Sequence, residues 1–329
     1  MSISLADTYP RLVGDIGGTN ARFAMQLSSE MPISEPVALR CRDFAGPAEA
    51  IKHYLEQTGL PHPRWAGLAI ATAISGDMLA MTNNGWKFSI SDTRNRIDLS
   101  HLRMLNDFTA LALALPQLGP DDLVQVGTGT AIAGKSIGLI GPGTGLGVSG
   151  LIPSEHGYSP IEGEGGHATL PAFTAREAEL IARAKKKFPH VSAERLISGP
   201  GLELLYEVIA GSNGAAKDKL HADEINRRGV AGSCPICREA MDTFCAMLGT
   251  VAADVALVLG ARGGVYIGGG IVPRLGDYFA TSPFRARFEE KGRFSSYLAQ
   301  IPTWVIHSPW PGLIGAASAL NEDAQNMIS

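Results

Sequence analysis

Charge is scarce in this chain. Charged residues make up 18% of 329, with 28 Lys plus Arg against 32 Asp plus Glu, a formal net charge of −4. Without a basic excess, neither nucleic acid nor an anionic membrane is expected as the main partner. The one basic run, Lys185-Lys186-Lys187, reads as the solvated end of a helix. Cysteine is equally sparse. Four cysteines in a chain this long do not make a disulfide framework. Cys234-Pro-Ile-Cys237 has metal or redox spacing, but no second pair and no redox-type βαβ setting accompany it, so structural or incidental thiols are expected. Residues 1–11 lack an apolar signal core. The most apolar helical stretch, 243–259, holds Asp254 and is interrupted by Gly249 and Thr250, which suits a buried core helix better than a membrane span. The expected compartment is the cytoplasm.

Apolar residues are plentiful, at 45%. A soluble chain of this length is long for one core, so two lobes are expected. The run Leu12-Val-Gly-Asp-Ile-Gly-Gly-Thr-Asn-Ala-Arg-Phe23 reads as strand, tight turn and strand. Gly17, Gly18, Thr19 and Asn20 form the turn, where glycines permit positive φ and close backbone approach. Bare N–H groups there can hold an anion, and Asp15 at the strand end can hold hydrated Mg²⁺. An ordinary glycine hairpin is the competing reading. Ser136–Ile152 repeats the device, with Gly141, Gly143, Gly145 and Gly147 alternating with Pro142, Thr144 and Leu146. Two Gly/Thr hairpins suggest a duplicated plan, clamping a polyphosphate from both sides of a cleft.

The first lobe, 1–117 with 308–329, is expected to carry strands at 37–41, 65–73, 78–81, 86–90 and 102–105 and helices at 47–57 and 108–115. The second, 118–307, is expected to carry helices at 175–188, 192–196, 201–210 and 240–259 and strands at 263–267 and 304–307. Ser192 is a plausible N-cap, Ser198-Gly-Pro-Gly201 a helix break, 273–279 helix-like, and 212–232 polar and surface-like. A terminal helix, 313–320, is expected to cross back onto the first lobe.

None of the three glycine-rich turns, 17–20, 141–147 and 268–270, holds a lysine, a G-x-x-x-x-G-K-[ST] run or a G-x-G-x-x-G run. A nucleotide bound here would rest on backbone N–H groups, the hydroxyls of Thr19 and Thr144, helix N-termini and Mg²⁺. Gly268-Gly269-Gly270, at a strand-to-helix junction, can admit an adenine or ribose, or be a plain left-handed turn. Asn106-Asp107 lies at a strand end before a helix, a place for ligands in α/β folds. Asp107 can accept a proton from an attacking hydroxyl while Asn106 orients it, or both can serve as helix caps. Glu164, His167 and Glu194 are of the types that bind a polyol; a zinc reading of His167 has no spacing support.

Taken in order, Gly14-Asp-Ile-Gly-Gly-Thr-Asn-Ala-Arg22, Leu105-Asn-Asp-Phe-Thr-Ala-Leu-Ala112, Gly141-Pro-Gly-Thr-Gly-Leu-Gly-Val148, Gly163-Glu-Gly-Gly-His167, Ala193-Glu-Arg-Leu-Ile-Ser-Gly-Pro-Gly-Leu202 and Ile267-Gly-Gly-Gly-Ile-Val-Pro-Arg274 resemble the bacterial ATP-dependent glucokinases. The resemblance runs from about residue 12 to about residue 317. It implies an actin/hexokinase-like (ribonuclease H-like) α/β fold of two lobes around a cleft. By the same resemblance Asp15, Gly17, Gly18, Thr19 and Asn20 match the first phosphate loop, Gly143, Thr144 and Gly145 the second, and Gly268, Gly269 and Gly270 the adenosine site. Asn106, Asp107, Glu164, His167 and Glu194 match the sugar-binding set, with Asp107 as general base.

The implied reaction is transfer from Mg·ATP to the 6-hydroxyl of glucose, by a homodimer, with Mg²⁺ held near Asp15 through water. A kinase for mannose or an N-acetyl amino sugar is the alternative, and a non-catalytic sugar sensor a third reading. Ala73 stands where relatives often have Pro, in a loop near the sugar pocket, which bears on sugar selectivity. The chain also lacks the Cys-rich zinc motif of the broader repressor and sugar-kinase group, and no DNA-binding helix pair is expected ahead of Leu12.

Overall fold

Leu12, Val13 and Ile16 are fully buried in the computed structural model, which describes residues 4–81, 84–155, 157–214 and 219–328. They belong to β1 (Arg11–Ile16), the middle strand of five. The chain divides into two compact units, Met1–Leu118 with Ser308–Ser329, and Gly119–His307. The first contains β1, β2 (Asn20–Gln26), β3 (Val37–Arg40), α1 (Pro47–Thr58), β4 (Trp65–Ile70), β5 (Met78–Ala80), β6 (Lys87–Ser89), α2 (Ile90–Ile97), β7 (His101–Asn106), α3 (Asp107–Ala114) and the C-terminal helix, Pro311–Ile328. Its main sheet runs β3-β2-β1-β4-β7. The first three strands are antiparallel; β1, β4 and β7 are parallel.

Alternation along β1 sends side chains to two cores. Leu12 and Ile16 pack with Phe23, Leu68, Ile51 and Tyr54. Val13 packs with Ala24 and with Leu313, Ala316 and Ala317 of the C-terminal helix. Burying each large side chain contributes about 1.5–3 kcal/mol. The C-terminal helix lies tight on its unit because two glycines remove what would block it. A Cβ on Gly67 would come 2.7 Å from the Ala316 carbonyl oxygen, and one on Gly315 would come 1.7 Å from that of Ala110.

The second unit contains β8 (Leu123–Val126), β9 (Ile137–Pro142), β10 (Leu146–Ser154), β11 (Gly157–Pro160), α4 (Ala175–Ala184), α5 (Ala193–Leu196), α6 (Gly199–Ser212), α7 (Ala222–Val230), α8 (Pro235–Leu259), β12 (Val265–Ile267), α9 (Asp277–Thr281), α10 (Phe284–Glu289), α11 (Ser295–Ala299) and β13 (Thr303–Ile306). Its sheet runs β11-β10-β9-β12-β13-β8. Apart from the antiparallel edge strand β8, this is the first sheet again: an antiparallel trio followed by two parallel partners of its first strand. The duplication suggested by two glycine hairpins therefore extends to five strands.

Several expectations need correction. The 86–90 strand is only Lys87–Ser89, and Ile90 already opens α2, with Ser89 Oγ accepting from the N–H of Asp92. Only Thr93 and Ile97 of α2 are buried, too sparse a stripe to show as periodicity. The 212–232 stretch contains α7, held by buried Ile225 and Gly229 and by Glu224 bonds to Arg227 and Arg228; its residues 215–218 lie outside the described ones. The break expected at 198–201 narrows to residues 197 and 198, since Gly199 and Pro200 already begin α6. The Ser198 hydroxyl caps that helix, accepting from the N–H of Gly201 at 3.0 Å. Ser192 occupies an N-cap position but makes no side-chain capping bond. The 273–279 region splits at Gly276, φ 53, between a 3-10 turn and α9.

Among the described residues α8 is the one helix long and apolar enough to cross a membrane, and 61% of that apolar stretch is buried inside the protein. Asp254 on it pairs with Lys291.

On α4, Glu179 accepts from Ser212 and from Arg176, both at 2.7 Å, and from Arg183 at 3.0 Å. These bonds, Ser212 foremost, hold its carboxyl down at about 2 against an ordinary 4.5. The native state then binds fewer protons than the unfolded chain between those values, so stability falls as pH drops through them. Melting followed from pH 5 downward should show a shallower acid loss for Glu179→Gln than for the parent; identical slopes would contradict this. Exposure keeps the effect small.

Candidate functional site

Register brings the first set of candidates to one sheet edge. Ile16, Ile70 and Asn106 are aligned across β1, β4 and β7. The 17–20 turn leaves the end of β1 and Asp107 leaves the end of β7, two strand spacings or about 10 Å apart. The N–H of Gly17 donates to the Asn20 carbonyl at 2.9 Å, and the Gly17 carbonyl accepts from Asn84 Nδ2 at 3.3 Å. Gly17 does not take positive φ, one of the two reasons expected for a glycine there, and a Cβ would meet only the Asn20 oxygen at 3.5 Å. Among the described residues nothing demands glycine at that point; a ligand approaching the backbone would. Thr19 is exposed.

Asp15 lies one residue inside this edge. Its side chain is 31% exposed, with Arg22 Nη1 at 3.8 Å, an ion pair too long for a hydrogen bond. Burial pushes its carboxyl above the usual carboxylate range, and the Arg22 charge only partly opposes this. Gly312, at the start of the C-terminal helix, comes close: a Cβ there would be 3.2 Å from Asp15 Cγ. A cation would favour the charged form that burial disfavours. Among the described residues no three His, Cys, Asp or Glu gather into a metal cage. Mg²⁺ needs none, since it keeps its waters and takes one or two carboxylates plus phosphates, so Asp15 suits it.

Asn106 is the N-cap of α3. Its Oδ1 accepts from the N–H of Phe108 at 2.9 Å and of Thr109 at 3.4 Å, while Nδ2 donates to the Thr72 carbonyl at 3.3 Å. The cap reading left open by the sequence is therefore correct for Asn106. Asp107 is the first residue of α3, half-buried, with Oδ1 accepting from the N–H of Phe108 at 2.9 Å. Ala73 lies in the loop that Asn106 anchors.

The second unit assembles its own cluster. The turn 143–145 closes with the Gly143 N–H donating to the Gly145 carbonyl at 2.8 Å. The Gly143 carbonyl accepts from Gly199 at the start of α6, and Gly268 and Ile271 donate to Ile140 and Pro142. Residues 143–145, 198–201 and 268–271 thus meet at the ends of β9 and β12. Thr144 is exposed, and Gly143 and Gly270 have open space where a Cβ would stand. Gly269 differs: its φ is 78 and a Cβ would strike the Pro142 carbonyl at 2.3 Å, so the fold itself requires glycine there.

Glu164, His167 and Glu194 converge on Leu146. Bare Gly165 and Gly166 let the 162–167 loop press on β10; a Cβ on Gly166 would fall 1.9 Å from the Leu146 carbonyl oxygen. Glu194 Oε2 accepts from the N–H of Leu146 at 3.0 Å. The Ala193 N–H donates to the Ala168 carbonyl, drawing His167 and Glu194 together. Glu164 and His167 are exposed and Glu194 half-buried.

Sequence reasoning missed a cavity of about 520 Å³ beside Thr144, walled by Phe188, Pro200, Leu204 and Leu220, with Lys187 and Arg195 among its polar lining. Arg195 lies over the Phe188 ring at 4.3 Å. The only sequence signal was the 185–187 basic run, read as solvated. Two further strings match nucleotide motifs by letters alone: Gly129-Thr-Ala-Ile-Ala-Gly-Lys-Ser136 and Gly145-Leu-Gly-Val-Ser-Gly150. The first runs into β9 and most of the second lies in β10. Neither opens a helix, so neither can point helix N–H groups at a phosphate.

The family model described as Glucokinase matches residues 12–323. A protein named glucokinase from Aromatoleum aromaticum is 56% identical over 322 residues, 98% of this chain and 97% of its own. One from Neisseria meningitidis is 50% identical, covering 97% of each chain. The crystal structure of a glucokinase from an Antarctic psychrotroph is 37% identical and superposes with a TM-score of 0.88 over 95% of this chain and 99% of its own.

Proposed function

We infer, from the premise that this chain belongs to the glucokinase family, that it transfers the γ-phosphoryl group of ATP to the 6-hydroxyl of glucose. Full-length similarity to proteins named glucokinase carries this reading. The fold is the actin-like ATPase fold of its structural neighbours.

Asn106, Asp107, Glu164, His167 and Glu194 bind the sugar. Carboxylates and imidazole suit ring hydroxyls because each accepts or exchanges hydrogen bonds with them. The sugar oxygen attacks the γ-phosphorus, Asp107 takes the hydroxyl proton, and the bond to the bridging oxygen breaks to release ADP. Asp15, Gly17, Gly18, Thr19 and Asn20 form one phosphate loop; Gly143, Thr144 and Gly145 form the other. Their hydroxyls, and those of their N–H groups that the turns do not use internally, stabilise charge on the transferring group. Mg²⁺ held near Asp15 through water would supply further charge neutralisation when bound. Gly268, Gly269 and Gly270 back the adenosine, with Gly269 shaping the turn and Gly270 leaving space. The enzyme is homodimeric, as the family resemblance implies, and works in the cytoplasm; light scattering of the purified protein reads the first point.

A coupled assay detecting ADP with glucose, ATP and Mg²⁺ tests the reaction. Turnover with glucose is expected to exceed that with mannose or N-acetyl amino sugars. Preference for one of those would move the assignment to another hexose, and a glucose-induced melting shift without ADP would make the protein a sensor.

The cavity beside Thr144 receives the nucleoside end of ATP, with apolar walls for the base. Leu204→Trp should fill it and raise the KM for ATP about tenfold or more, the scale of 1–3 kcal/mol of overpacking, with the KM for glucose nearly unchanged. A change confined to glucose would place the base elsewhere.

A further inference from the structure

Cys234-Pro-Ile-Cys237 opens α8, and phosphoryl transfer leaves it unused. Cys234 has an extended backbone, φ −141 and ψ 111, and occupies the N-cap, with Pro235 in the first helical turn. The N–H of Cys237 donates to Cys234 Sγ at 3.4 Å, and the two thiols lie close enough to influence each other's ionisation. Both side chains therefore meet across one turn. Residues three apart on a helix have Cβ atoms about 5–6 Å apart, and a disulfide forms after a modest approach from such a spacing.

The two thiols have different surroundings. Cys234 is partly exposed, whereas Cys237 is buried, as are Cys41 and Cys245. Burial, aided by the bond to Cys234, pushes the Cys237 thiol up to about 12. Burial opposes ionisation of Cys234 as well. Donation from Cys237 and from the Ile236 N–H, with the charge of Arg228, outweighs it and holds Cys234 below the usual thiol value. The sequence lacks a redox-type βαβ setting, but the helix N-terminus supplies the same asymmetry: one accessible, more acidic thiol and one protected partner.

We propose that Cys234 and Cys237 form a dithiol that exchanges with small-molecule disulfides, Cys234 attacking and Cys237 resolving. The Cys234 thiolate attacks one sulfur of RSSR; a Cys234–SR bond forms, the RS–SR bond breaks and RS⁻ leaves. Cys237 gives its proton to RS⁻ or to water, and its sulfur attacks Cys234 Sγ. The Cys234–Cys237 bond forms and a second RS⁻ departs. Two thiols are oxidised and RSSR is reduced to two RSH.

The test is incubation of the full chain with oxidised glutathione under native conditions, followed by intact mass and peptide mapping. The parent should lose two hydrogens and yield a peptide crosslinked between 234 and 237. Cys237→Ser should retain one glutathione on Cys234. Cys234→Ser should take up glutathione at least about tenfold more slowly. Modification at Cys41 or Cys245, a parent protein that stops at the mixed disulfide, or an unreactive Cys237→Ser protein with a native melting curve would overturn the assignment. If a variant does not fold, the parent's crosslink, present or absent, still decides.

Discussion

Asp107→Ala is expected to lower turnover of glucose by roughly 10²–10⁴-fold, the scale of losing a general base. The fold should tolerate the change. Asp107 is the first residue of α3, and the cap that starts this helix belongs to Asn106. The Phe108 N–H keeps the Asn106 oxygen when the Asp107 oxygen is removed. ATP binding measured by calorimetry should persist, because the phosphate loops are elsewhere. Asp107→Asn separates base from shape: it keeps the volume and loses the proton acceptor, so its turnover should fall on the same scale. A purified Asp107→Ala protein with full activity would refute the assignment.

Gly315→Ala is expected to destabilise the first unit by about 3 kcal/mol or more. The added methyl would sit 1.7 Å from the Ala110 carbonyl oxygen and 2.4 Å from its carbon. Both are backbone atoms of α3, so no side-chain rotation relieves the clash and the helices must separate. That opens the contact of Leu313 and Ala316 with Val13 and Ala24. A fall in Tm of roughly 6–12 °C follows from the usual entropy of unfolding at this size. Gly119→Ala is the control, since a Cβ there meets nothing closer than 3.9 Å; its Tm should stay within about 2 °C. Equal melting of Gly315→Ala and the parent would show that this helix pair is not packed as described.

Long apolar runs closed by glycine were legible: β1, β2, β4, β9, β10 and α8 lie close to where alternation and periodicity put them. The elements missed, α2, α7, α10, α11, β8 and β11, are short, and all but α10 bury two residues or fewer. Elements of that length with so few buried positions leave no period to read. Glycine was legible as punctuation but not as to reason. Among the described residues nothing requires Gly17, Gly143 or Gly270 to be bare, whereas Gly269 is bare because of its φ, and Gly166 because Leu146 lies against it.

By itself the sequence determined the local chemistry: two Gly/Thr hairpins, a strand ending in Asn106-Asp107, and the glycines and carboxylates of 162–167, all set by residue type and short spacing. Only tertiary structure decided that β4 lies between β1 and β7, that Glu194 reaches Leu146, and that Phe188 and Leu204 wall a cavity beside Thr144. Strand pairing and side-chain packing join residues tens of positions apart, through contacts whose free energy depends on the whole buried surface and leaves no periodic trace in any one segment.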